Sequence, residues 1–137
     1  MIADPPKQVT EEKQVTKELR DLAQHCLDGG VAAVCVTLDE HGCVAFYRDG
    51  SGAIAEEYVD RIKVEHVVDT TGAGDSFAGG LAYGYLAYRD YVVACQYGNA
   101  MGAQRCTGTE LGVYLPREET ERQIRAAYGP PPQEELA

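Results

Sequence analysis

The run Thr70-Thr71-Gly72-Ala73-Gly74-Asp75 holds the residues of this chain best placed to do chemistry. Two glycines and an alanine leave backbone N–H groups bare. A helix beginning near Asp75 would add its unpaired first-turn amides and a partial positive charge. Together these make a cradle for an anion, most naturally a phosphate. Asp75 sits awkwardly beside it, because a carboxylate repels a phosphate. Two readings account for the residue. Asp is a favoured N-cap, so Asp75 caps the helix; or the site needs a base next to the anion. Phosphoryl transfer needs both things, donors for the charge on the moving group and a carboxylate to deprotonate the attacking hydroxyl. On the residues alone the two readings stand level.

The elements around this turn follow from pattern. Thr10 can cap a first helix whose apolar positions Val15, Leu19, Leu22 and Cys26 lie on one face, with Gly29-Gly30 stopping it. "VAAVCVTL", Val31 to Leu38, is a β-branched apolar run with the look of a strand buried on both faces. "DEHG" turns into a second strand, "CVAFY", and "RDGSG" makes another turn. "AIAEEYV" and "RIKVEHVV" alternate and read as further strands. One helix is expected from Asp75 to about Arg89 and another from Asp90 to about Cys106. A last one starts at Pro116 and ends at Gly129. This order argues a layered α/β domain. In such sheets ligands bind at the carboxyl ends of strands, beside helix N-termini, and the Thr70–Gly74 turn occupies that position.

Composition narrows the function classes. The chain has 137 residues, 45% of them hydrophobic and 25% charged, as in an ordinary globular protein with one real core. Its net charge of −10 argues against nucleic acid as a partner, since phosphate backbones are bound by Lys and Arg. No apolar run approaches a membrane span, and the start "MIADPPKQVTEEKQ" resembles no signal or transit peptide. The five cysteines, Cys26, Cys35, Cys43, Cys95 and Cys106, form no C-x-x-C pair and fit a reducing cytoplasm. His25, His41 and His66 are scattered singly and read as structural or surface residues.

"DTTGAGDSFAGG" closely resembles the C-terminal signature of the ribokinase-like, or PfkB, carbohydrate kinases. "VCVTLDEHGCVAF" resembles that family's strand–turn–strand beside the nucleotide. "GNAMGAQRCTGT" is similar to its late helix, and "LPREE" to its closing Pro-led helix. The likeness runs from about Ala32 to Arg125 and covers only the C-terminal half of a family kinase. It implies a three-layer α/β/α fold of ribokinase-like type, truncated, without the N-terminal half and lid. Residues 1–128 would form this nucleotide-binding and catalytic half, and 129–137 a disordered tail.

The resemblance also implies roles. Asp75 would be the general base that takes the proton from a sugar hydroxyl, and the amides of Gly72, Ala73 and Gly74 the anion hole. Thr37 and Gly42 would lie near the ATP phosphates, and Asn99 near the adenine; its bland alternative is a helix-surface amide. Asp69 and Thr71 would offer oxygens to a monovalent cation such as K+. The implied function is transfer of the γ-phosphate of ATP, with Mg2+, to a sugar or nucleoside. The alternative is a non-catalytic nucleotide-binding or structural remnant.

Two departures bear on that choice. The family usually has Gly where this chain has Asp39, which sets a carboxylate where backbone should approach phosphate. The family's sugar site, lid and Mg2+-organising Asn-x-x-Glu motif belong to its N-terminal half, and the single Asn here is Asn99. Open strand edges tend to pair, so a homo-oligomer or a partner chain supplying the missing strands is expected. Tyr83, Tyr85, Tyr88, Tyr91 and Tyr97 either line such an interface or, as the favoured reading, pack between helices.

Overall fold

A computed structural model describes residues 15–110 and 113–136; the expected Thr10 cap and the lead-in Met1–Val9 lie outside the described residues. The chain divides into two compact units, one ending at Asp60 and the other starting at Arg61.

In the first unit, helix α1 (Lys17–Asp28) starts at Thr16, whose hydroxyl oxygen accepts the Leu19 N–H at 3.2 Å. Gly29 ends it. The inward face differs from the one expected. Ala23 and Leu27 are buried, Leu19 packs beside them, and Leu22 is 60% exposed. A spacing of four from Leu19 runs through Ala23 and Leu27, and Leu22 falls to the side of that stripe.

Strands β1 (Ala33–Thr37), β2 (Cys43–Arg48) and β3 (Ile54–Val59) form an antiparallel sheet in the order β1-β2-β3. Cys35 sits opposite Ala45, and Phe46 opposite Glu56. The strand buried on both faces is β2, where Cys43 to Phe46 are all inaccessible; β1, expected to be so, is only half-buried. Position in the sheet explains this, because β2 has a neighbour on each side and β1 on one. Val15, Ala23, Leu27, Leu38, Val44 and Phe46 make the core. Across its margin Arg20 binds Glu56 through two bonds, at 2.7 and 3.0 Å. The β2–β3 turn is held by Asp49, whose carboxylate accepts the Ser51 and Ala53 amides at 2.8 and 3.2 Å.

The second unit is helical among its described residues. Residues 61–68, expected as a strand, have no ladder partner and no strand. Alternation alone does not make a strand; the Val68 amide instead donates to the Cys106 carbonyl at 2.8 Å. Helices α2 (Ala73–Tyr88), α3 (Tyr91–Arg105) and α4 (Arg117–Tyr128) follow. Asp90 caps α3 by accepting the Val93 amide at 3.0 Å. Pro116 precedes α4, and Gly129 closes it.

Helices α2 and α3 meet through small residues. A β-carbon on Gly98 would lie 2.7 Å from the Phe77 ring, and one on Gly80 would lie 2.8 Å from Met101 and against the Tyr97 carbonyl. Glycine here allows close backbone approach, which gives Gly80 of the "AGG" run a packing reason. Tyr88 and Tyr97 join Ala87, Val93, Ala100 and Ile124 in the core, and Tyr85 stacks on Tyr91 with centroids 5.1 Å apart. These tyrosines pack between helices, as favoured. Burial is the main cause that pushes the Tyr97 phenol up, with the Tyr88 hydroxyl adding to it.

Gln104, nearly inaccessible, ties α3 to α4. Its carbonyl accepts the Leu115 amide at 2.9 Å, and its amide donates to Thr120 Oγ1 at 2.9 Å and Gln123 Oε1 at 3.1 Å. Residues 130–136, expected as a disordered tail, carry defined contacts. The Leu136 amide donates to the Ala87 carbonyl at 2.7 Å, Gln133 donates to the Tyr88 carbonyl, and Glu135 pairs with Arg117. The last turn of α2 leaves carbonyls without helical partners, and this segment supplies donors to them.

Candidate active site

The turn before α2 is built from its own first residues. Asp69 Oδ1 accepts the Thr71 amide at 2.9 Å, and the Thr70 carbonyl accepts the Ala73 amide at 3.1 Å. Those bonds bend the chain so sharply that Gly72 takes φ +82°, a left-handed conformation that costs a glycine nothing. Gly72 is the N-cap, and its carbonyl accepts the Ser76 amide at 3.0 Å. The helix thus starts at Ala73, two residues earlier than expected.

This start changes the reading of Asp75. It is not the N-cap; it lies inside the first turn, and no side chain caps the helix. The Asp75 carboxylate is exposed and has no hydrogen-bond partner among the described residues. The capping alternative therefore falls. The space in front of the turn is open, since a β-carbon on Gly74 would meet nothing within 4 Å.

The amides sort themselves. Ala73, expected in the anion hole, donates to the Thr70 carbonyl. Gly72, Gly74 and Asp75 have N–H groups with no acceptor among the described residues. Those of the helix's first turn carry the positive end of its dipole. Around the turn stand three side chains that local sequence patterns gave no reason to select. Ser76 Oγ lies 2.6 Å from the Tyr114 hydroxyl, and Arg105 Nε would lie 3.4 Å from a β-carbon on Gly72. Arg105 ends α3 and Tyr114 lies in the α3–α4 connection, and both reach the start of α2, which no spacing rule reports.

Asp69 is held below the usual carboxylate range chiefly by the Thr71 amide, with the Thr71 hydroxyl and the Arg105 charge adding to it. Asp69 and Thr71 share the turn, but two residues fall short of the roughly six oxygens that a hard cation takes. Among the described residues no group of three or more His, Cys, Asp or Glu could hold a metal. Among the described residues, Asp69 and Thr71 by themselves do not complete a cation site.

The remaining predicted residues lie elsewhere. Thr37 is the exposed last residue of β1, and Gly42, buried at φ +96°, ends the short turn into β2. Both belong to the first unit, the cradle to the second. Asp39, in the same turn as Gly42, has φ +53°. A left-handed residue there is what a glycine would adopt freely, so the structure gives a backbone reason for the family's preference. Asn99 is buried in α3, not on a helix surface, and donates to the Tyr128 hydroxyl at 3.1 Å.

The sequence profile of the pfkB family carbohydrate kinases matches residues 7–117. The chain belongs to this family. A 2-dehydro-3-deoxygluconokinase of Bacillus subtilis is 32% identical over 117 residues, covering 78% of this chain and 35% of the relative. Among solved structures, a nucleoside kinase of Burkholderia thailandensis in complex with ADP-inosine shares 29% identity at a TM-score of 0.67, covering 93% of this chain and 37% of the neighbour. A double mutant of the fructokinase of Vibrio cholerae O395, in its fructose, ADP and potassium ion bound form, shares 25% at 0.62, covering 77% and 34%. The fold of this pfkB-family chain is therefore ribokinase-like and truncated: it spans about a third of the length of the relatives it matches. Among the described residues, no helix of it is long and apolar enough to cross a membrane.

Proposed function

We propose that this chain is the phosphoryl-donor side of an ATP-dependent sugar or nucleoside kinase, with Asp75 as its base. The observation that carries the reading is the state of Asp75: exposed, without a protein partner, and one residue beyond the open space at Gly74. A carboxylate left unused by the fold, next to unpaired helix-start amides, is what a hydroxyl-to-phosphate transfer requires.

The step follows from the donors present. The Asp75 carboxylate takes the proton of an acceptor hydroxyl as its oxygen bonds to the γ-phosphorus. The bond from that phosphorus to the β–γ bridging oxygen breaks, and ADP leaves with the electron pair. The amides of Gly72, Gly74 and Asp75 donate to the charged equatorial oxygens. Ala73 contributes to the cradle by fixing the turn through Thr70. Thr37, Gly42 and Asn99 are assigned to the nucleotide side. Mg2+ enters with the ATP phosphates as part of the substrate. Asp69 and Thr71 give oxygens toward K+, with further ligands coming from outside this set.

Acceptor binding is assigned to groups outside these 137 residues, whether on the same chain, a second copy or a partner chain. Ala78, Gly79, Ala82 and Leu86 are exposed on α2, which carries no charge from Ser76 to Tyr88. A helix apolar on all sides is normally covered. Five cysteines without a C-x-x-C pair support a reducing compartment such as the cytoplasm.

The second reading, a nucleotide-binding or structural remnant, is favoured by Asp39, which sets a left-handed carboxylate in the turn assigned to phosphate. One experiment separates the two. ATP with Mg2+ is titrated into the chain by calorimetry, and ATP turnover is measured for it and for Asp75→Asn. The kinase reading expects turnover that falls by about 10²- to 10⁴-fold in the variant. Turnover indifferent to the substitution overturns it, and binding without any turnover leaves the remnant.

A further inference from the structure

Arg105 lies beside Gly72: a β-carbon there would make ordinary contact, 3.4 Å from Arg105 Nε and 4.0 Å from Arg105 Cγ. Arg105 is the last residue of α3 and is half-buried. Its Nη1 donates to the Gly108 carbonyl at 2.9 Å. The next residue, Cys106, accepts the Val68 amide at 2.8 Å. Backbone ties on both sides thus fix the guanidinium against the turn. Its other two nitrogens meet no acceptor among the described residues.

A fixed, half-buried guanidinium with donors to spare is suited to phosphate oxygens. The need for one is plain from charge. The chain carries −10, and the two ionisable groups on the turn itself, Asp69 and Asp75, are both acidic. Amides alone would have to hold a polyanion against that field.

We propose that Arg105 is a positioning residue of the cradle, whose guanidinium, held beside Gly72, supplies the fixed positive charge that lets the turn accept a polyphosphate. The ligand class rests on the kinase reading above; the test does not need turnover.

Inorganic pyrophosphate, without metal, is titrated by calorimetry into the whole chain at several salt concentrations. The wild-type chain binds it with an affinity that falls as salt rises. Arg105→Gln keeps a polar side chain and loses the charge; binding weakens about tenfold and the salt dependence flattens. Arg105→Lys restores the charge, and with it the salt dependence and affinity to within about threefold of wild type. A prop with no electrostatic part would move neither the salt slope nor respond to lysine. Circular dichroism checks that each variant is folded. The proposal is overturned if the wild-type chain binds no pyrophosphate, if Arg105→Gln binds like wild type, or if Arg105→Lys is as weak as Arg105→Gln. Should Arg105→Gln fail to fold, Arg105→Lys decides: a retained salt slope supports the proposal and a flattened one overturns it. Pyrophosphate binding that depends on Arg105, with no Asp75-dependent turnover, sinks the kinase reading and keeps this one.

Discussion

Asp39, at φ +53°, and Gly72, at φ +82°, solve the same backbone problem in two turns with opposite residues. In the second unit a glycine takes the left-handed conformation freely, with Arg105 beside it. In the first unit an aspartate takes it at a cost, and brings a negative charge into the Leu38–Gly42 turn. That turn is closed by its backbone, Leu38 donating to the Gly42 carbonyl at 2.8 Å and His41 to the Leu38 carbonyl at 2.9 Å. The Gly72 turn keeps amides uncommitted and a carboxylate unpaired. Among the described residues, the groups left open to an anion are therefore in the second turn, while the first is closed by its own backbone bonds.

The sharpest way to break this contrast is Asp75→Asn. If the second turn carries the chemistry, ATP turnover falls by about 10²- to 10⁴-fold while the melting temperature holds. Next comes the seat of that turn. Gly80→Ala forces a β-carbon into Met101 and the Tyr97 carbonyl, and overpacking of this kind costs up to about 3 kcal/mol. Urea unfolding should show the loss in the second unit. Gly72→Ala is smaller: a left-handed alanine costs about 1–2 kcal/mol, read in the same urea unfolding. Asp39→Gly is the smallest in stability. Relief of the left-handed aspartate, about 1 kcal/mol, is offset by the greater freedom of glycine in the unfolded chain, leaving a change within about 0.5 kcal/mol. Its readout is nucleotide affinity, expected to rise a few-fold; no rise would mean that Asp39 does not face the phosphates.

The sharp turn at Gly72–Asp75 was legible in the sequence because its glycines and acid follow one another; its use in catalysis is a proposal. The helices were legible for the same reason, with Asp90, Pro116 and Gly129 marking ends by capping chemistry. What escaped depends on partners distant in sequence. Whether β1 or β2 is the doubly buried strand is settled by place in the sheet, not by the apolar runs both contain. The alternation in 61–68 promised a strand, but Val68 bonds to Cys106 instead. Asp75 looked like a cap because a residue in the first turn and a cap have the same composition; only the left-handed Gly72 moves the start. Arg105 reaches Gly72 from another helix, and Asn99 finds Tyr128 the same way.

Arg89 and Asp90 alone join α2 to α3, so the contacts through Gly80 and Gly98 close only a short loop. Segments that meet over short stretches of chain assemble early, before distant strands are drawn in. The helical hairpin can therefore form on its own timescale, microseconds to milliseconds, and so can the β1-β2-β3 meander, whose turns are also short.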